Sequence, residues 1–92
     1  MAKTQRFDGI TSSVWECVKA TSLREHGTKY EPAGSPDGTA TTHTPVGEVV
    51  LRYNYNETEA SLTYTLAKKP FIVSEAVIWD GIKSTLKGCS SS

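Results

Sequence analysis

His43 is the side chain best suited by type to move a proton, standing in the stretch Thr41-Thr42-His43-Thr44-Pro45. An imidazole titrates near neutral pH and serves general acid–base chemistry when a second ionisable group helps it. Glu31 or a tyrosine is the candidate helper, but no carboxylate or thiol adjoins His43 in the chain. Nucleophilic catalysis needs a serine or cysteine held by a base. Cys17 and His26 lie about two and a half turns apart if they share a helix, well beyond hydrogen-bonding reach. His26 reads instead as a residue at a helix C-terminus, favoured there by the macrodipole. Two cysteines and two histidines are the minimum inventory for a structural zinc, yet the close Cys-x2-Cys and His-x3-His pairs are missing. The glycines of Gly34-Ser35-Pro36-Asp37-Gly38 lack the strand-to-helix context and following Lys-Ser/Thr of a phosphate loop. The inventory calls for no cofactor and no metal, names no catalytic residue, and weighs against an enzyme. A small enzyme using His43 as general acid or base stays as the alternative.

The aromatic side chains carry more information. Tyr53, Tyr55 and Tyr64 fall on one side of two alternating stretches, and Trp15 and Trp79 lie beside two helical stripes. All five rings are expected in one space, either as plain core filling or as the lining of a ligand-sized gap. Trp15, Tyr53, Tyr55, Tyr64 and Trp79, with His43, are therefore the candidate ligand-binding residues. Asn56-Glu57-Thr58 matches the glycosylation sequon, which matters only in a secreted chain; otherwise Asn56 is a turn residue that tolerates left-handed dihedrals.

The elements that position these residues follow from periodicity. Gly47 to Asn56 alternates with period two, Val49, Leu51, Tyr53 and Tyr55 pointing one way, and Leu62, Tyr64 and Leu66 repeat the pattern beyond Asn56-Glu57-Thr58-Glu59. This predicts an antiparallel hairpin with one wet, Thr-rich face. Ser74 as N-cap, Glu75 in the first turn and Ile78, Ile82 and Leu86 at i, i+4 and i+8 predict a C-terminal helix that covers the dry face and stops at Gly88. Gly81 inside it suggests close packing against another backbone. Ser13-Val14-Trp15-Glu16 matches a capping box, and Ile10, Val14, Cys17, Val18 and Thr21 share a helical side, with His26-Gly27 closing that helix. A strand over residues 14–21 is the competing reading. Thr28 to Glu31 and Thr39 to His43 read as short strands in a Pro- and Gly-rich region, where Asp37-Gly38 is a turn signal.

Cys17 on the first stripe and Cys89 just past the last leave two readings open. A disulfide between adjacent helices would contribute about 4 kcal/mol on the chain-entropy model. With nothing in the chain pointing to an oxidising compartment, the expectation is a core thiol and a tail thiol, both reduced.

The chain has 92 residues, with ten Lys plus Arg against ten Asp plus Glu. That length predicts a single small domain over residues 1–92, with frayed ends at 1–7 and 90–92. The balanced charge supplies no overall field toward nucleic acid or an anionic membrane, so nucleic-acid binding through Arg52, Lys68, Lys69 and the tyrosines is disfavoured but kept as an alternative. Apolar runs are far shorter than the roughly 20 residues a bilayer needs, so no membrane is expected. The start carries no apolar h-region and the expected location is the cytoplasm, although a mature secreted fragment with a re-added Met would read the same.

The order helix, three strands, helix resembles that of the double-stranded RNA-binding domain. Tyr30 ahead of a Gly-containing turn, two strands and Lys68-Lys69 before the last helix follow that order over most of the chain. That family grips phosphates with a basic Ser-Lys-Lys-x-Ala-Lys run at the start of its second helix, where this chain has Pro70-Phe71-Ile72-Val73-Ser74-Glu75. The resemblance is one of topology and implies no family.

These readings combine into an α+β expectation: α-β-β-β-α order, an antiparallel sheet of three or four strands, and two helices on one face. The expected function is that of a soluble, non-catalytic binding or interaction module for a small molecule or a protein. A homodimer through the polar, Thr-rich sheet face fits the same pattern.

Overall fold

The computed structural model describes residues 4–32 and 34–90. The element order is β1 (Thr4–Asp8), α1 (Ser12–His26), β2 (Lys29–Glu31), β3 (Asp37–Thr44), β4 (Gly47–Asn56), β5 (Ser61–Lys68) and α2 (Glu75–Ser90). All five strands form one antiparallel sheet in the order β1-β5-β4-β3-β2. The expected α-β-β-β-α order with three or four strands is therefore corrected to β-α-β-β-β-β-α with five. The differences are two: residues 4–8, of which 4–7 are expected to fray, pair with β5 from Thr4↔Thr65 to Asp8↔Ser61, and both short segments β2 and β3 join the sheet, so that four strands and not three lie between the helices. Residues 1–3, 91 and 92 of the expected frayed ends lie outside the described residues. The RNA-binding-domain topology falls with this correction, since it has no strand ahead of its first helix.

The central hairpin forms as the alternation dictates. Val49, Leu51, Tyr53 and Tyr55 on β4 and Leu62, Tyr64 and Leu66 on β5 are all buried, and Tyr53↔Tyr64 and Leu51↔Leu66 face each other across the ladder. β3 adds Ala40 to the same face, and β2 adds Tyr30 opposite it. These side chains, with Ile10, Trp15, Val18, Trp79, Leu86 and Cys89, make one continuous core between the sheet and both helices. The other sheet face carries Thr39, Thr41, His43, Arg52, Asn54, Thr63 and Thr65, each exposed or half-buried.

α1 buries Trp15, Val18 and Ser22 at i, i+3 and i+7, the spacing of a core-facing helical stripe. Its cap is Thr11, whose hydroxyl accepts from the Val14 amide, so Ser13 of the expected capping box already lies inside the helix. Gly27 closes it in the left-handed conformation, its amide reaching back to the Leu23 and Ser22 carbonyls. α2 begins where Ser74 Oγ accepts from the Val77 amide, but it runs through Gly88, which does not stop it. Gly81 is not a close-packing point either: a Cβ placed there meets nothing within 4 Å.

The two helices are joined covalently. Cys17 and Cys89 form a disulfide, in place of the reduced pair expected, because α1 and α2 lie side by side and bring the two Cα atoms to 5.8 Å. Among the described residues no helix is long and apolar enough to cross a membrane.

Candidate functional site

The inward positions of β3 are small. Gly38, Ala40, Thr42 and Thr44 alternate toward the helices, where β4 and β5 present leucines, valine and tyrosines. α2 passes over this half of the sheet with Gly81 and Thr85 among its facing residues. Small residues on both walls leave a cavity of about 260 Å³ between sheet and helix.

The cavity has two chemically different sides. Val49, Leu51, Val73, Val77, Ile78 and Ile82 make an apolar wall. Hydroxyls gather on the other side, where Ser22 and His26 at the end of α1 meet Thr28, Tyr30, Thr42 and Tyr64. Tyr30 donates to Ser22 Oγ at 3.5 Å, which leaves its oxygen to accept from the Tyr64 hydroxyl at 2.8 Å. Thr28 and Thr42 share a proton-mediated contact of 2.6 Å between their Oγ1 atoms. With its proton committed to Tyr30, the Tyr64 oxygen keeps lone pairs able to accept a further hydrogen bond. Burial pushes the Tyr64 hydroxyl well above the ordinary tyrosine range, reinforced by the neighbouring Tyr30. Burial also raises Tyr30, with the hydrogen bonds to Ser22 and Tyr64 pulling the other way. Both hydroxyls are therefore neutral dipoles at physiological pH, able to orient a polar group but unable to supply charge.

The sequence-derived candidates separate into four places. Tyr64 lines the cavity. Trp15, Tyr53 and Tyr55 belong to a ring cluster beside it: Trp15 stacks on Tyr55 at 5.3 Å between centroids and lies 5.4 Å from Tyr53 and 5.5 Å from Tyr30. Their polar ends are occupied, Tyr55 donating to the Ile10 carbonyl at 2.9 Å and Tyr53 reaching the Pro32 and Ser35 carbonyls at 3.4 Å. These rings pack against one another and do not line the cavity. Trp79 is buried in the core with no partner for Nε1 and does not line the cavity. His43 stands on the opposite, wet sheet face, its Nδ1 3.2 Å from Glu48 Oε2, and Lys68 approaches the other carboxylate oxygen at 3.5 Å. Arg52 shares that face.

Tyr30, Ser22, Thr28, Thr42 and His26 were not among the candidates read from sequence. The signal for Tyr30 and Thr28 is present as the alternation Thr28, Tyr30 against Lys29, Glu31, but β2 is only three residues long and sits among prolines and glycines. Thr42 was hidden because period two on a threonine-rich strand gives no contrast between faces.

No model of a known protein family, no curated protein and no solved structure matches the chain. The chemistry of the cavity thus stands without a relative to lean on.

Proposed function

We propose that the protein is a non-catalytic binding module whose cavity between sheet and α2 takes a small, mainly apolar molecule carrying one hydroxyl or similar donor group. The observation that carries this reading is the pairing of an apolar wall with a partly buried hydroxyl relay, Tyr64 to Tyr30 to Ser22, at its polar side. A cavity of about 260 Å³ lies just under the range of roughly 300–1,000 Å³ that holds drug-sized ligands, so the ligand is compact. The apolar wall supplies the affinity, at roughly 25 cal/mol per Å² removed from water, and the Tyr64 oxygen supplies orientation. The disulfide is the reason to place the working protein in an oxidising compartment rather than in the cytoplasm expected from the sequence.

The reading is tested by ligand-observed NMR and thermal shift against a panel of compact cyclic alcohols with their matching hydrocarbons. The alcohols should bind more tightly than the hydrocarbons, and Tyr64→Phe should erase that preference. Thr42→Phe, which fills the cavity from β3, should weaken binding at least tenfold, about 1.4 kcal/mol, while circular dichroism shows the fold retained. Absence of binding across the panel, or equal binding by a folded Thr42→Phe protein, sinks the reading.

A further inference from the structure

The chain has two asparagines, and one of them, Asn56, opens the triplet Asn56-Glu57-Thr58. The structure sets this triplet at the end of β4, where the strand leaves the sheet for the four-residue turn to β5. Asn56, Glu57 and Thr58 are all exposed. The Asn56 Oδ1 accepts from the Glu59 amide at 3.1 Å, which fixes the side chain with its oxygen toward the turn, and Nδ2 meets only the exposed Glu59 carboxylate at 3.4 Å. A bulky substituent on Nδ2 displaces that one solvent-exposed contact and nothing in the core. A second and independent observation is the Cys17–Cys89 disulfide, a bond that characteristically forms and persists in oxidising compartments, the setting in which sequons are modified.

We propose that Asn56 is an N-glycosylation site. In the transfer, the Asn56 amide nitrogen attacks the anomeric carbon of an oligosaccharide carried on a polyprenyl pyrophosphate. One C–N bond forms, the C–O bond to pyrophosphate breaks, the lipid pyrophosphate leaves with the electron pair, and the amide nitrogen gives up one proton to a base. The Thr58 hydroxyl completes the acceptor triplet. The position suits the fold: Asn56 is about 17 Å further along β4 than Leu51 of the cavity wall at the usual strand rise, and its register places it with the wet sheet face. Sugar attached there covers the hairpin end and leaves the cavity open. This proposal stands apart from the ligand reading, since it uses none of the cavity residues.

The test is expression of the full chain behind a secretion signal in a yeast or mammalian host, with intact-mass measurement before and after peptide-N-glycosidase treatment. The expected result is a discrete mass excess removed by the enzyme, with Asn56 converted to aspartate in the released peptide, together with no free thiol. Asn56→Gln and Thr58→Ala should each abolish the excess, while Thr58→Ser retains it. A secreted, disulfide-bonded wild-type chain without carbohydrate overturns the proposal, as does carbohydrate that persists in Thr58→Ala.

Discussion

All four tyrosines bury their hydroxyls on one side of the sheet, and burial raises every one of them above the ordinary value of 10.0. The consequence for stability has a definite sign. In the unfolded chain the phenols lose protons near pH 10, whereas in the folded chain they hold them, so the unfolded state binds fewer protons and folding stability declines as pH rises past 10. Below that pH the contribution is fully present. Tyrosinate absorbance should therefore stay low through pH 10 and then rise in one cooperative step that coincides with loss of far-UV circular dichroism. Independent titration of the phenols in a still-folded chain would contradict the burial described for Tyr64 and Tyr30. At this scale much was legible in the sequence. Tyr53, Tyr55 and Tyr64 alternate with polar residues over long strands, and their inward direction follows from period two. What could not be read was which rings meet each other and which meet empty space, because that depends on Ala40, Thr42 and Gly81, small residues from two distant segments that line one cavity only once the chain has folded.

Two glycines at the level of the elements have opposite expected behaviour. Gly38 lies within β3, where a Cβ would run into the Glu31 carbonyl and the Pro32 ring. Gly38→Ala should cost about 2 kcal/mol or more, since backbone rather than a side-chain tip must move. Gly81 is inside α2 with open space around it, so Gly81→Ala should stabilise by about 1 kcal/mol through helix propensity and a stiffer unfolded chain. Thermal melts should show a gain of roughly 4–8 °C for the second and a clear loss for the first. Asp37-Gly38 reads in the sequence as a turn and Gly81 as a contact, nearly the reverse of their places in the fold. A glycine signals that something unusual is permitted, and it does not say whether that something is a tight approach, a bend or nothing. The hairpin and α2 were readable because their patterns are long and local. β1 was not, because among Thr4 to Asp8 only Phe7 is a large apolar residue and charged Arg6 and Asp8 occupy the outward positions, the ordinary dress of an edge strand.

For the molecule as a whole, the disulfide links residues 72 apart and ties α2 to α1. Closing so long a loop in the unfolded chain is worth about 4 kcal/mol on the entropy model, a large share of the roughly 5–15 kcal/mol typical of a domain. Reduction should therefore lower the melting temperature by more than about 15 °C, and Cys17→Ser should reproduce the reduced protein. Identical urea midpoints with and without reductant would show that the bridge contributes nothing. The pairing of β1 with β5 spans the chain in the same way. A chain emerging from the ribosome offers Thr4–Asp8 no strand partner until Ser61–Thr65 are exposed, and offers Cys17 no disulfide partner until Cys89 follows. Both seams that close this fold are thus sewn late: β1 and the Cys17 thiol wait, in the keeping of whatever guards nascent chains, until Ser61–Thr65 and Cys89 have followed them out.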